Sequence, residues 1–140
     1  PMISQTAEYA LRAVVYLAAP AEKPLTTQEI AARTQVPESY LSKVLQSLGR
    51  AGILNSQRGL HGGFSLAKKS DSLTLLEVIN AIDPINSIKE CPLKLENHGT
   101  NLCPLHTRIN LSIEALINTF GDTTLAEILE ECPDNKPLCQ

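Results

Sequence analysis

Residues 36 to 67 read VPESYLSKVLQSLGRAGILNSQRGLHGGFSLA, a helix-periodic segment followed by a glycine-tipped pair of short segments. Leu41, Val44, Leu45 and Leu48 recur at i, i+3, i+4 and i+7, so they make one apolar stripe that has to be buried against other helices. The opposite face is then fixed. It carries Ser39, Lys43, Gln46 and Arg50, with Ser42 and Tyr40 on its flanks. Hydrogen-bonding and cationic side chains of this kind reach base edges and phosphates from a helix lying in a major groove.

Pro37 suits the first turn of that helix, where a missing N–H costs nothing, and Gly49 and Gly52 loosen its far end. Ile53 to Ser56 and Phe64 to Leu66 alternate partly, and Arg58-Gly-Leu-His-Gly-Gly63 supplies the turn of a hairpin between them. Such a hairpin is a wing, with Arg58 and His61 placed to enter a minor groove or grip phosphate. Upstream, Thr26-Thr27-Gln28-Glu29 is a capping box that opens a helix through Ile30, Ala31 and Ala32. A short turn around Gln35 and Val36 joins it to the reading helix, which is helix-turn-helix spacing. The plainer reading, an amphipathic helix with a solvated face and a surface turn, leaves that upstream unit unexplained.

The 140 residues suffice for one core, and 43% apolar with 19% charged residues is globular composition. The net charge of −3 hides an asymmetry: residues 1 to 69 hold eight Lys/Arg against four Asp/Glu, and residues 70 to 140 hold four against eleven. A basic half suits DNA, and so modest an excess implies a few placed contacts rather than a broad electrostatic footprint. No apolar run reaches membrane-spanning length or has signal-peptide form, so the expected compartment is the cytoplasm, with no membrane partner. Enzyme chemistry has no visible support. There is no nucleophile–base pair in recognisable context and no glycine-rich phosphate loop, and one of the three histidines lies on the wing.

In chain order, Ile3 to Ala19 reads as a first helix stopped by Pro20; Glu8 lies on it, where a solvent-facing carboxylate is the ordinary expectation. Thr74-Leu-Leu-Glu77 is a second capping box, opening a helix that ends before Pro84. From Pro84 to Leu102 no period survives, and a loop so long in a small domain calls for a purpose. Pro104 to Phe120 then reads as a long helix whose Leu105, Ile109, Ile113, Leu116 and Phe120 form a seam for a second helix, a natural dimer handle. A short helix carrying Leu125, Ile128 and Leu129 follows, and the tail from Cys132, with its two prolines, reads as loose. The expected organisation is a mainly α, winged helix-turn-helix head over residues 2–83, a cysteine-containing sensor loop over 84–102, and a dimerisation helix with tail over 103–140.

That loop and the start of the next helix hold Cys91, His98, Cys103 and His106. Cys103 and His106, three apart at a helix start, can point the same way. Sulfur with imidazole suits iron–sulfur clusters or zinc. Three readings stay open: a zinc site of all four residues, a metal-free thiol switch joining Cys91 to Cys103, or an iron–sulfur site in which two cysteines are joined by other ligands. A haem sensor on the Cys-Pro pairs is a weaker reading, and a winged-helix module that binds only protein is the rival to DNA binding.

Taken together, MISQTAEYALRAVVYLA at 2–18, SYLSKVLQSLGRAGIL at 39–54, RGLHGGFSLA at 58–67, TLLEVINAID at 74–83 and the cysteine loop ahead of a long helix resemble the IscR/NsrR-type family of bacterial winged-helix regulators. The resemblance spans about residues 2 to 131 and is most specific at the wing. It implies a homodimer, crossed through the long helices, that binds palindromic double-stranded operator DNA and represses or activates transcription. Sensing members of the family ligate an iron–sulfur cluster with three loop cysteines. This chain departs from that pattern, having Cys91 and Cys103 with His98 in the gap where a middle thiol would stand. Some members resemble one another in an acidic ligand from the first helix of the partner subunit, and Glu8 stands at that place. What the resemblance implies is a 2Fe–2S cluster between subunits, held by Cys91 and Cys103 of one and Glu8 of the other, with His106, ahead of His98, as a further candidate ligand.

Overall fold

Polar caps set where the helices begin. The computed structural model describes residues 2–19, 23–95 and 101–131. Helix α1 (Gln5–Ala18) starts after Ser4, whose Oγ accepts the Ala7 N–H at 3.1 Å, so Ile3 and Ser4 lie outside it. Both capping boxes form: Thr26 with Glu29 opens α2 (Thr27–Thr34), and Thr74 with Glu77 opens α4 (Leu75–Ile82). A cap of this kind contributes about 1 kcal/mol. Pro37 stands one position ahead of the first turn of α3 (Glu38–Arg50), as its N-cap, with no side-chain hydrogen bond. Between α2 and α3 the chain reverses at Gln35, which takes the left-handed conformation with φ 58°.

The wing is an antiparallel pair, β1 (Leu54–Gln57) and β2 (Gly63–Leu66), registered from Leu54 opposite Leu66 to Gln57 opposite Gly63. Ile53 precedes the strand and enters the core, 2% exposed. A third segment braces the wing: Leu25 exchanges both backbone hydrogen bonds with Phe64, at 3.0 and 2.7 Å. Gly63 is required there, because its φ is 148° and a Cβ would collide with the Leu25 carbonyl.

One core joins these elements. Ala10, Ala13 and Val14 of α1, Ile30 of α2, Leu41, Leu45 and Leu48 of α3, and Leu73 and Val78 around α4 are all fully buried in it. Each leucine, isoleucine or valine among them stabilises the fold by roughly 1.5–3 kcal/mol through burial. The last helix, α6 (Leu125–Glu130), returns to the same core by way of fully buried Leu125. A backbone clasp fixes that return, with the Leu125 N–H on Leu73 O at 2.9 Å and the Leu75 N–H on Thr123 O at 3.0 Å.

Helix α5 (Pro104–Gly121) is different. None of its residues is buried, and Leu105, Ile109 and Leu111 are 63%, 40% and 60% exposed. Farther along, Ile113, Leu116 and Phe120 are half-buried. Among the described residues, no helix is long and apolar enough to cross a membrane.

Candidate nucleic-acid interface and sensor loop

With Leu41, Val44, Leu45 and Leu48 turned into the core, α3 leaves Ser39, Tyr40, Lys43, Gln46 and Arg50 exposed and Ser42 half-exposed. Glu38 is the sole acid on this helix and lies in its first turn, where the helix dipole favours it. Tyr40 leans back on α1: its ring meets Tyr9 edge-on, centroids 6.4 Å apart. Arg12 continues that contact. Its guanidinium lies 5.4 Å from the Tyr9 ring centroid and donates to the Thr34 carbonyl at 3.2 Å, which ties α1 to the end of α2 beneath the reading helix.

At the wing tip, Gly59 to Gly62 form a turn closed by the Gly62 N–H on Gly59 O at 3.0 Å. Arg58 and His61 are exposed, and neither has an ion pair among the described residues. Between α3 and the wing lies a cleft of about 510 Å³, lined by Gln46, Arg50, Asn55, Ser56, Arg58 and Phe64 among others and by no carboxylate. Asn55 and Ser56 went unrecognised in the sequence as candidate contacts; as exposed polar positions on a strand beside a reading helix, they carried the signal.

The candidate sensor loop is only partly assembled among the described residues. Cys91 is buried, 3% exposed, in a turn closed by the Lys94 N–H on Cys91 O at 2.9 Å. Cys103 is the N-cap residue of α5, and its Sγ lies 3.3 Å from His106 Nδ1. His98 and the tail from Cys132 lie outside the described residues. Glu8 is engaged by its own chain, 2.8 Å from Arg12 Nε, and borders an open groove formed with Ile3, Ser4, Gln5 and Arg12. Among the described residues, no three His, Cys, Asp or Glu side chains gather closely enough to hold a metal ion. Cys103 and His106 thus fit as one two-donor edge of a site. Further ligands have to come from outside the described residues, from rearrangement, or from a second copy. Asn110 was not anticipated. Its Oδ1 accepts the Ile88 N–H at 2.6 Å and its Nδ2 donates to Glu114 at 3.2 Å, so α5 holds the loop three residues before Cys91.

Comparison with known proteins agrees with this architecture. The Rrf2 family model, described as an iron-dependent transcriptional regulator, matches residues 3–131. The transcriptional regulator NsrR of Geobacillus kaustophilus is 32% identical over 130 residues, covering 89% of this chain and 86% of that one. Among solved structures, the global cysteine regulator CymR of B. subtilis superimposes with a TM-score of 0.71 at 26% identity, over 89% of this chain and 93% of its own. IscR of T. potens superimposes with a TM-score of 0.75 at 22% identity, over 92% and 86%.

Proposed function

This chain belongs to the Rrf2 family of transcriptional regulators, and on that premise we propose that it is a homodimer that binds palindromic duplex DNA with an affinity set at the Cys91–Cys103 loop by an iron–sulfur cluster. The observation that carries DNA reading is the division of α3 into a buried aliphatic stripe and an uncompensated polar and cationic face. In this reading Lys43, Gln46 and their neighbours address base edges in the major groove, while Arg58 and His61 bring the wing to the adjacent minor groove or its phosphates. The dimer is supported by the apolar stripe that α5 leaves uncovered in a single copy.

At the sensor, Cys103 and His106 are the pair already in contact, Cys91 is the second thiol, and Glu8 of the other subunit is the candidate acid, with His98 behind them. Cys91 and Cys103 supply thiolates, and an iron–sulfur group on so few thiolates and some harder ligands supplies a redox-responsive, easily lost charge. Glu8 has to leave Arg12 Nε for that role, which removes one partner of the guanidinium whose Nη1 ties α1 to the end of α2. The chain's own part is transmission: Asn110 fastens the loop to α5, and α5 sets the separation of the two reading heads. Two half-sites one helical turn or so apart tolerate little change in that separation.

A second reading, a metal-free thiol switch at Cys91 and Cys103, is favoured by the absence of a three-ligand cluster among the described residues; a zinc switch at the same place needs the same further ligands as the cluster. Titration of a duplex selected by the protein from a random pool, at several salt concentrations, tests the common core of both. Tight binding that weakens steeply with salt is expected; absence of binding would refute the DNA assignment.

A further inference from the structure

Leu60, at the end of the wing, is 95% exposed. A lone exposed leucine is common, and here its position makes it informative. It shares the two corners of the Gly59–Gly62 turn with His61, and neither residue has positive φ. The backbone therefore does not demand either side chain, and turn corners ordinarily carry Asn, Asp, Ser or Gly. The turn is also tightly built, since a Cβ on Gly62 would collide with the Gln57 carbonyl, so it presents both side chains outward.

The direction of the tip follows from the cleft. Arg58 shares its wall with Gln46 and Arg50, which places the wing and the reading face of α3 on one side of the molecule. When α3 fills a major groove, the sugar–phosphate strand bordering that groove runs through this carboxylate-free cleft. On the DNA-reading proposal, the residues beyond Arg58 reach the neighbouring minor groove.

We propose that Leu60 is a minor-groove contact that selects A·T over G·C base pairs beside the positions read by α3. The inference rests on the DNA-reading proposal. Its isobutyl group packs against the deoxyribose walls, which stand closest together in A·T-rich segments. At G·C the guanine 2-amino group rises from the groove floor and is a donor that an apolar side chain cannot satisfy. Side-chain shape, with no added charge, thus provides discrimination where the wing cations provide attraction.

The full-length chain, a duplex selected by it from a random pool, and inosine substitution test this. Replacing the flanking A·T pairs by G·C is expected to weaken binding by the wild type roughly tenfold. Inosine·cytosine pairs, which lack the 2-amino group, are expected to restore it. Leu60→Ser is expected to bind the A·T duplex more weakly, to treat G·C and inosine·cytosine flanks alike, and to keep the wild-type salt slope because no charge is removed. Leu60→Met is expected to retain the discrimination. If Leu60→Ser still distinguishes G·C from inosine·cytosine, or binds every duplex like the wild type, the inference is overturned. If the wild type selects no duplex at all, the DNA reading falls and takes this inference with it.

Discussion

Helices α3 and α5 receive different amounts from a single copy of the chain. In α3, 13 residues long, Leu41, Leu45 and Leu48 are 0% exposed and Val44 2%; in α5, 18 residues long, nothing is buried. The candidate reading head is finished internally: its stripe is covered, α1, α2 and α4 open on side-chain caps, its wing is braced by Leu25, and its remaining polar face points outward. The sensor half ends in an apolar stripe without a cover and two metal-type donors without a full set. In one region the sequence specifies a covered core, and in the other, on the proposed function, it specifies a surface to be completed by a second copy.

The largest test of this contrast is in the core. Leu45→Ala is expected to cost roughly 2–5 kcal/mol in chemical unfolding, because the site cannot collapse around the cavity. Ile109→Glu, at a surface position, is expected to leave the helix content unchanged while shifting the sedimentation mass from dimer to monomer. Similar losses of folding stability from both substitutions would erase the distinction between the two helices. A smaller effect is expected at the wing: Arg58→Ala weakens DNA binding and lowers the salt slope by about one unit, whereas Lys43→Ala and Gln46→Ala change which sequences are preferred. An unaltered slope for Arg58→Ala would remove the wing from the interface. The smallest concerns the helix-turn-helix reversal. Gln35→Gly is expected to raise unfolding stability by up to about 1 kcal/mol by relieving the left-handed backbone; a decrease would mean that the Gln35 side chain is needed there.

The head was legible because its signals are local. Helical spacing at Leu41 to Leu48, capping boxes at Thr26 and Thr74, and glycines at 59 and 62 each act within a few residues. Contacts between distant segments were not legible. No pattern around Leu25 marks it as the brace for Phe64, none at Leu125 announces a return to the head's core, and Asn110 carries no sign of Ile88. At Glu8 the sequence showed an acid at a family position, and the structure adds the Arg12 partner that a ligand role has to displace. The cysteine loop was legible as chemistry and not as geometry. Residue types suggest which metals would suit it, whereas the described residues do not bring three such side chains together.

The most direct test is the absorption spectrum of protein purified without oxygen, with iron and sulfide analysis and a solution mass, repeated on Cys91→Ala. Visible charge-transfer bands and matching iron and sulfide on a dimer, lost in the variant while the dimer persists, are the expected result. A colourless dimer without iron or sulfide would contradict an iron–sulfur sensor completed between two copies.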